Sequence, residues 1–340
     1  MSQNIGFETI NLGHGSGGEL TRKLIDELIF NTFDNVYLNE KHDGSIVELE
    51  GKIAMSTDSF VISPIFFKGG NIGELAVNGT VNDVAMCGAI PKFLSLAFII
   101  EEGLKLSEFK NIIESIKKAA DKSGIQIVTG DTKVVEKGKG DQIFINTTGI
   151  GSVHLNASIS SKNIKVGDKI IINNNIAQHG MAIMSQREGL QFESDIVSDT
   201  TNLNHLTKKM LDTFGNKIHF FRDPTRGGLG SVLHEIANDC HLGIEISENN
   251  IPLEKQVAAA CEILGLDPLY VANEGVFITI VEADIEHETI KLMHQDENGK
   301  NAICIGEVVS EHPNKVVLHS IIGGKRIVSP LVGEQLPRIC

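Results

Sequence analysis

The sequence predicts an α/β protein built from two successive domains. Apolar, strand-like runs alternate with longer helical segments along most of the chain, and this alternation is typical of layered α/β folds. The chain has 340 residues, whereas a single domain usually has about 150. One polar stretch, residues 157–168, interrupts the alternation and indicates a boundary between two domains near residue 155.

The N-terminal part combines a glycine-rich arm and first helix, residues 1–40, with an α/β domain, residues 41–155. Apolar side chains from Leu20 to Ile29 recur at helical spacing, which predicts the helix. The polar residues 38–52 predict a hairpin. The remaining elements are predicted as strand 53–57, helix 71–88, strand 93–100, helix 106–124, and strands 125–129 and 142–153.

The C-terminal α/β domain, residues 156–322, repeats the alternation and is followed by a tail, residues 323–340. Pro330, Gly333 and Pro337 interrupt the last segment, so we expect an extended, mobile tail. The elements predicted before it are strand 168–173, helices 180–188 and 206–214, strand 218–221, helix 229–240, strand 243–247, one further helix, and strands 275–283 and 302–309.

The chain is acidic, with a net charge of −14 at pH 7 and a pI near 5.3. It lacks the basic surface that nucleic acids and anionic membranes require, so we expect neither as a partner. The longest apolar stretch, Phe93 to Ile100, is far shorter than the about 20 residues of a membrane-spanning helix. No signal-peptide pattern is present and the five cysteines form no CxxC pair, which favours reduced thiols in a cytoplasmic protein.

Cys340, the last residue, has an unusual position for a cysteine. It suits neither a core nor a disulfide framework, and a prenylation box needs its cysteine four residues from the end. It ends a segment that prolines and a glycine interrupt, and Arg338 is close enough in sequence to offset the adjacent carboxylate. This position leaves the thiol without a core, metal or disulfide role, at the end of a tail that we expect to be mobile.

Three aspartates each follow an apolar, strand-like run: Asp58, Asp131 and Asp223. Ligands of α/β sheets bind beyond the carboxyl ends of strands, and Mg²⁺ prefers carboxylate and phosphate oxygens. Together the three indicate a metal–phosphate site, although each could instead cap the following helix, as the proline after Asp223 suits. Asp83 lies beside Asn82 in a helix that is apolar on nearly every face, so it needs a metal or an ion-pair partner.

Three further features are candidates for phosphate binding or proton transfer. Residues 13–19 (GHGSGGE) formally match GxGxxG, but the run before them is short, so a phosphate-binding glycine nest fits better than a dinucleotide fold. Lys133 could reach phosphates held near Asp131, or could be a solvated surface lysine. Glu274 lies between two apolar runs and could act as a base or simply occupy a turn.

Several long motifs resemble the hydrogenase expression/formation proteins of the HypE family over essentially the whole chain. These motifs are residues 79–103, TGDTKVVEKG at 129–138, FRDPTRGGLG at 221–230, VANEG at 271–275 and the C-terminal PRIC. The family belongs to the PurM-like ATP-binding superfamily. The resemblance implies a PurM-like two-domain fold with an extended tail, and a homodimer whose N-terminal α/β domains pair through their sheets.

The resemblance also implies roles for residues of this sequence, with ATP and Mg²⁺ as cofactors. The metal and phosphate ligands would be Asp58, Asp83, Asp131 and Asp223. The nucleotide would further contact Asn82, Gly15, Gly17 and Gly18. The catalytic groups would be Cys340, Lys133 and Glu274.

The implied activity is an ATP-dependent dehydration of a carbamoyl group on Cys340, which gives a thiocyanate. A carbamoyltransferase partner would load the thiol, and an iron-binding maturation scaffold complex would accept the cyanide for the iron of a [NiFe] hydrogenase. The alternatives are another PurM-like ATP-dependent enzyme, such as selenophosphate synthetase, and a non-catalytic maturation scaffold. Selenophosphate synthetases carry a reactive cysteine or selenocysteine in the glycine-rich loop, where this chain has neither.

Overall fold

The computed structural model describes residues 7–188, 196–331, 336 and 338–340, and it has the two predicted α/β domains. The predicted mobile tail lies partly outside the described residues, at 332–335 and 337. Helical elements form the arm before the first domain: α1 (Glu19–Leu24), a π-helical turn (Ile25–Phe30), α2 (Asn31–Phe33) and α3 (Val36–Asn39).

The hairpin predicted for residues 38–52 is wrong. Helix α3 continues to Asn39, and residues 40–52, all of which the structure describes, form no strand. Ile46 in this segment is 94% exposed, so the segment has no buried apolar face that could hold two short strands together.

The N-terminal domain consists of a four-stranded sheet with two helices on one face. The strand order is β1-β6-β4-β5, in which β4 and β5 are parallel and the other neighbours are antiparallel. A separate two-stranded ladder, β2–β3, precedes the first of the two helices. The elements are β1 (Ile53–Phe60), β2 (Phe66–Phe67), β3 (Gly70–Asn71), α4 (Ile72–Met86), β4 (Ala89–Glu101), α5 (Leu106–Ser123), β5 (Gln126–Val135) and β6 (Ile143–Val153).

Helix α4 is buried on nearly every side because it lies between the N-terminal sheet and the second domain. The side chain of Asn71 caps its first turn by accepting a hydrogen bond from the Gly73 N–H (2.8 Å). Within α4, the Thr80 hydroxyl forms a hydrogen bond with the Thr147 hydroxyl of β6 (2.6 Å), which satisfies both polar groups inside the core. Polar residues farther along α4 therefore lie at the joint between the domains.

The C-terminal domain is a seven-stranded, mostly antiparallel sheet in the order β13-β12-β9-β11-β7-β10-β8. Two apolar cores, one on each face, hold its helices. The sheet continues to Val328, past residue 322 where we expected the tail to begin, because β13 pairs with β12. The elements are β7 (Lys169–Ile172), α6 (Gln178–Arg187), α7 (Asn204–Phe214), β8 (Ile218–Arg222), α8 (Gly228–Cys240), β9 (Gly243–Ser247), α9 (Lys255–Leu264), β10 (Ile278–Val281), α10 (Glu286–Met293), β11 (Ile303–Val309), β12 (Val316–His319) and β13 (Lys325–Val328).

The N-terminal sheet has an outer face, opposite α4 and α5, that exposes apolar side chains. On this face Ile53 is 56% exposed, Met55 is 68% exposed and Ile99 is 46% exposed. Exposed apolar side chains gathered on one sheet face indicate a surface that a partner covers. Within the described ranges, no helix is long and apolar enough to cross a bilayer.

Candidate active site

The chain ends in a cavity beside the N-terminal domain, where Cys340 is the last side chain. The backbone N–H of Val61, just after β1, donates a hydrogen bond to the Cys340 carbonyl oxygen (3.1 Å). Ile339 is only 4% exposed and packs in the core of the N-terminal domain. The cavity has a volume of about 670 Å³, and its lining includes Thr57, Asp58, Asn146, Arg226, Tyr270 and Cys340.

Asp58, Asp83 and Asp223 influence one another electrostatically next to this cavity. Asp58 lies within β1 rather than after it, on the sheet face that packs against α4. Asp83 lies on α4 and accepts a hydrogen bond from the Ser56 hydroxyl of β1 (2.7 Å). Asp223 directly follows β8, as predicted, and is buried. Arg226 brings a cation to this group, with its guanidinium 3.7 Å from Asp58 Oδ1.

Burial and mutual repulsion disfavour the charged forms of these carboxyl groups. Burial raises the pKa of Asp223 to about 7, and the neighbouring Asp83 carboxylate adds to the effect. Burial also raises the pKa of Asp83; the hydrogen bond from Ser56 opposes this shift, and Asp58 adds to it. Mutually repelling carboxylates are a donor set that suits Mg²⁺, which binds through one or two carboxylates, water and substrate phosphates. Across the described residues, no three acidic, His or Cys side chains form a metal site by themselves.

Glu274 lies in the loop before β10 and is only 3% exposed. Its carboxylate faces α4, because a Cβ added to Gly79 would lie 3.9 Å from Glu274 Oε2. The backbone N–H groups of Glu274 and Gly275 donate to the Asp199 carboxylate (3.2 and 2.9 Å), which holds this loop in place. Burial raises the pKa of Glu274 well above its ordinary value, and the carboxylates of Asp199 and Asp223 add to the effect. A carboxyl group with a raised pKa is a stronger proton acceptor than an ordinary glutamate.

The environment of Cys340 keeps its thiol protonated. Burial raises the pKa of this thiol to about 12, and the carboxylates of Glu274 and Asp58 add to the effect. The cavity therefore does not favour a thiolate nucleophile. A neutral group attached to the sulfur meets no such desolvation cost, so the site suits Cys340 as an attachment point.

Asn82 is engaged by the protein rather than open to a nucleotide. Its side-chain amide donates to the backbone carbonyls of Thr201 (3.0 Å) and Glu274 (3.2 Å). Its oxygen accepts a hydrogen bond from the Leu203 N–H (2.8 Å). Both amide hydrogens are thus used in joining α4 to the second domain, and this arrangement does not support the predicted nucleotide contact of Asn82.

One chain does not bring Asp131 or Lys133 to Asp58 and the cavity that holds Cys340. Both lie on β5, whereas Asp58 lies on β1 at the opposite edge of the sheet, and three strand spacings amount to about 14 Å. Asp131 aligns through β4 and β6 with Ser59, so it lies on the outer face, and Asp58 lies on the inner face. Asp58 and Asp131 occur in similar sequence patterns, but the order of the strands places them far apart.

The glycine arm packs beside Asp131 and Lys133, whose side chains form an exposed ion pair (2.8 Å). A Cβ added to Gly15 would lie 2.5 Å from a backbone nitrogen of β5, so only glycine allows this approach. Gly17 has a φ of +83°, and Gly18 is the N-cap residue of α1. The lining of a largely apolar pocket of about 270 Å³ includes Gly15, Gly17, Asp131 and Lys133.

Sequence analysis missed two residues of the domain joint, the partly buried Asp199 and the fully buried His179. Asp199 lies in an irregular segment without any periodicity, and its role depends on contact with Glu274, which is distant in sequence. His179 is the second residue of α6, and a histidine at the start of an otherwise apolar turn was the available signal.

The two domains define the class of protein. Residues 41–153 match the AIR synthase related protein, N-terminal domain. Residues 165–319 match the AIR synthase related protein, C-terminal domain. Together the two matches cover most of the chain, in the order in which the two sheets occur.

Individual relatives narrow this class. The carbamoyl dehydratase HypE of Bradyrhizobium diazoefficiens is 47% identical over 97% of this chain and 96% of its own length. A crystal structure of the hydrogenase maturation protein HypE in complex with ATP has a TM-score of 0.93 at 44% identity, covering 97% of this chain and 99% of that chain. In a crystal structure of a HypE–HypF complex, a matching chain has a TM-score of 0.80 at 47% identity, covering 91% and 99%. The chain belongs to the HypE family of carbamoyl dehydratases.

Proposed function

We propose that this protein dehydrates a carbamoyl group on its own Cys340, with ATP as the activating reagent, and so produces a protein thiocyanate. The observation that carries this proposal is the position of the Cys340 thiol, which lies partly buried in a cavity and within the electrostatic influence of Glu274 and Asp58. The relative solved in complex with ATP supports the choice of nucleotide.

The proposed reaction converts S–C(=O)–NH₂ and ATP into S–C≡N, ADP and phosphate. The carbamoyl oxygen attacks the γ-phosphorus and later leaves as phosphate, and the nitrogen loses both of its protons. Glu274 is the candidate base, because burial raises its pKa well above the ordinary value and so strengthens the carboxylate as a proton acceptor.

Asp58, Asp83 and Asp223 would hold Mg²⁺ together with the nucleotide phosphates. The ion would neutralise charge on the transferring phosphoryl group. Burial and, to a smaller extent, mutual repulsion raise the pKa values of Asp83 and Asp223. A bound cation would offset both effects, which supports this assignment.

We further propose that two copies of the chain form each complete site. The outer face of the N-terminal sheet, with Met55 and Ile99 exposed, is the surface that a second copy would cover. Asp131 and Lys133 lie on this face, too far across the sheet from Asp58 of the same chain. In a homodimer joined through these faces, Asp131 and Lys133 of one copy would serve the carboxylates and Cys340 of the other.

Two protein partners follow from the chemistry. A carbamoyltransferase has to load the thiol, and the solved HypE–HypF complex supports a partner at this stage. An iron-binding maturation scaffold complex has to accept the cyanide for a [NiFe] hydrogenase, because a thiocyanate sulfur is only a temporary carrier.

Intact-mass and peptide mass spectrometry test the proposal directly. After carbamoyl loading, addition of ATP and Mg²⁺ should remove the mass of one water from the peptide that ends in Cys340. Glu274→Gln should slow this loss by about 10²- to 10⁴-fold while ATP still binds. A loaded protein that hydrolyses ATP without this mass change contradicts the proposal, and absence of ATP turnover favours the scaffold alternative. Turnover that depends on selenide favours the selenophosphate synthetase alternative.

A further inference from the structure

The last three residues are bound by a set of contacts that lies outside the carboxylate cluster. Arg338 donates from Nε and Nη2 to the Val61 carbonyl oxygen (3.0 and 2.9 Å). Its Nη1 atom lies 2.5 Å from Asp141 Oδ2, in the loop between β5 and β6. The Arg338 guanidinium is therefore fixed between the end of β1 and the start of β6, next to the cavity that holds Cys340.

Two residues of α6 bind the backbone of the same segment. His179 is fully buried, and its Nε2 lies 2.9 Å from the Ile339 carbonyl oxygen. A carbonyl oxygen can only accept, so Nε2 carries the proton and Nδ1 accepts from the Ser198 hydroxyl (2.7 Å). Arg187 donates to the Arg338 carbonyl oxygen. Both free carbonyls before the terminal cysteine thus have fixed donors.

We propose that Asp141 and His179 are positioning residues that recognise the Arg338–Ile339 segment and so set the fraction of time that Cys340 spends in the cavity. We name the site formed by Val61, Asp141, His179 and Arg187 the tail groove. Asp141 pairs with the Arg338 guanidinium, and His179 donates to the Ile339 carbonyl oxygen. The purpose of docking rests on the proposed function. Docking itself requires neither ATP nor a carbamoyl group.

The contacts in the tail groove suit reversible docking. The Arg338–Asp141 ion pair is partly exposed, with 42% and 35% of the two side chains accessible, so solvent weakens it. Arg338 also has a φ of +54°, a left-handed conformation that costs free energy for any residue with a Cβ. A carrier thiol has to leave the cavity for loading by a partner and return for dehydration. Loosening the groove should therefore accelerate loading and slow dehydration.

Alkylation of the unloaded, full-length protein tests the groove without nucleotide. In wild type, Cys340 should react slowly with iodoacetamide, because the docked thiol is partly buried and its raised pKa keeps it protonated. Asp141→Asn should label Cys340 about 2- to 5-fold faster, in keeping with the modest strength of a partly exposed ion pair. Arg338→Gln, which loses the contacts to Asp141 and Val61 together, should label faster still. Peptide mass spectrometry resolves Cys340 from the other cysteines.

Asp284→Asn is the matched control. Like Asp141, Asp284 forms a surface ion pair, in this case with Lys217, but it lies in the C-terminal domain. It should leave Cys340 labelling unchanged, and Cys87 should label at one rate in all variants. Equal Cys340 labelling in wild type, Asp141→Asn and Arg338→Gln would falsify the tail groove. Faster Cys340 labelling in the variants supports the groove. If carbamoyl-loaded wild type then loses no water upon ATP addition, the proposed dehydration is contradicted while the groove stands, so the two failures are distinguishable.

Discussion

Glu274, Asp223 and the Cys340 thiol share one property: burial favours their neutral forms. A neutral carbamoyl group can enter such surroundings at little desolvation cost, whereas a thiolate cannot. The phosphates of a nucleotide and a divalent cation would bring charge to the carboxylate side of the site only. The surroundings of Cys340 therefore suit a neutral carbamoyl group, whereas the carboxylate side suits a charged nucleotide and its cation.

His179 gives a pH-dependent prediction. Burial lowers the pKa of His179 to about 4. Between about pH 6.5 and pH 4 this histidine is therefore protonated in the unfolded chain but neutral in the folded chain. This contribution to stability is intact above pH 6.5 and is lost as the pH falls toward 4. Between pH 7 and pH 4, the free energy of unfolding should fall by up to about 3 kcal/mol more in wild type than in His179→Gln.

Urea denaturation at several pH values measures this difference. Both proteins contain the same carboxyl groups, so subtracting the two pH profiles isolates the histidine. Parallel profiles would show that His179 can be protonated in the folded protein, contrary to its burial.

Among the helices, α4 links the two halves of the site. It carries Asp83 toward β1, it uses Asn82 to hold the loop of Glu274, and Gly79 leaves room for the Glu274 carboxylate. A side chain at Gly79 would also meet the ring of Phe60 at 2.9 Å. One buried helix therefore sets the distance between the carboxylates of the first domain and Glu274 of the second.

The glycine arm gives a prediction at the same scale. Gly15→Ala should move the arm away from β5, because the new Cβ would lie 2.5 Å from a backbone nitrogen that cannot yield. If the arm covers phosphates beside Asp131 and Lys133, ATP should bind about tenfold or more weakly, as calorimetric titration would show.

Gly44→Ala is its control, since a Cβ at Gly44 meets nothing within 4 Å and should leave ATP affinity unchanged. Wild-type affinity in Gly15→Ala would mean that the arm does not take part in nucleotide binding.

The whole molecule contains two incomplete groups of site residues at opposite edges of one sheet. If two copies complete each other, then inactive Asp83→Asn and inactive Asp131→Asn should regain activity when their subunits exchange. Half of the dimers would be mixed with one intact site each, so the recovered rate should be about a quarter of wild type.

Mixing Asp83→Asn with Glu274→Gln is the matched control. Asp83 and Glu274 of one chain belong to the same site, so every mixed dimer would have both sites damaged. Native mass spectrometry confirms that subunits have exchanged. No recovery in the first mixture, despite exchange, would show that the proposed sharing of Asp131 is mistaken.

Much of the fold was predictable because its signals are local. Helix α5 shows its apolar stripe in the sequence, and α4 shows that it is buried because it is apolar all round. Strand β13 escaped prediction because it is short, mostly exposed and paired only through its backbone with β12. The hairpin at residues 38–52 was wrong because a turn signal without a buried face does not hold strands together.

The sequence by itself determined the residue types of the site: carboxylates after apolar runs, a glycine-rich arm and a terminal thiol. Only the tertiary structure decided which of them meet, because strand order and side-chain alternation are set by long-range pairing. That pairing brings Cys340, Glu274, Asp58, Asp83 and Asp223 together and leaves Asp131 and Lys133 on the far edge. It also buries His179 and places Asp199 against the loop of Glu274, and both roles depend on contacts that no local pattern encodes.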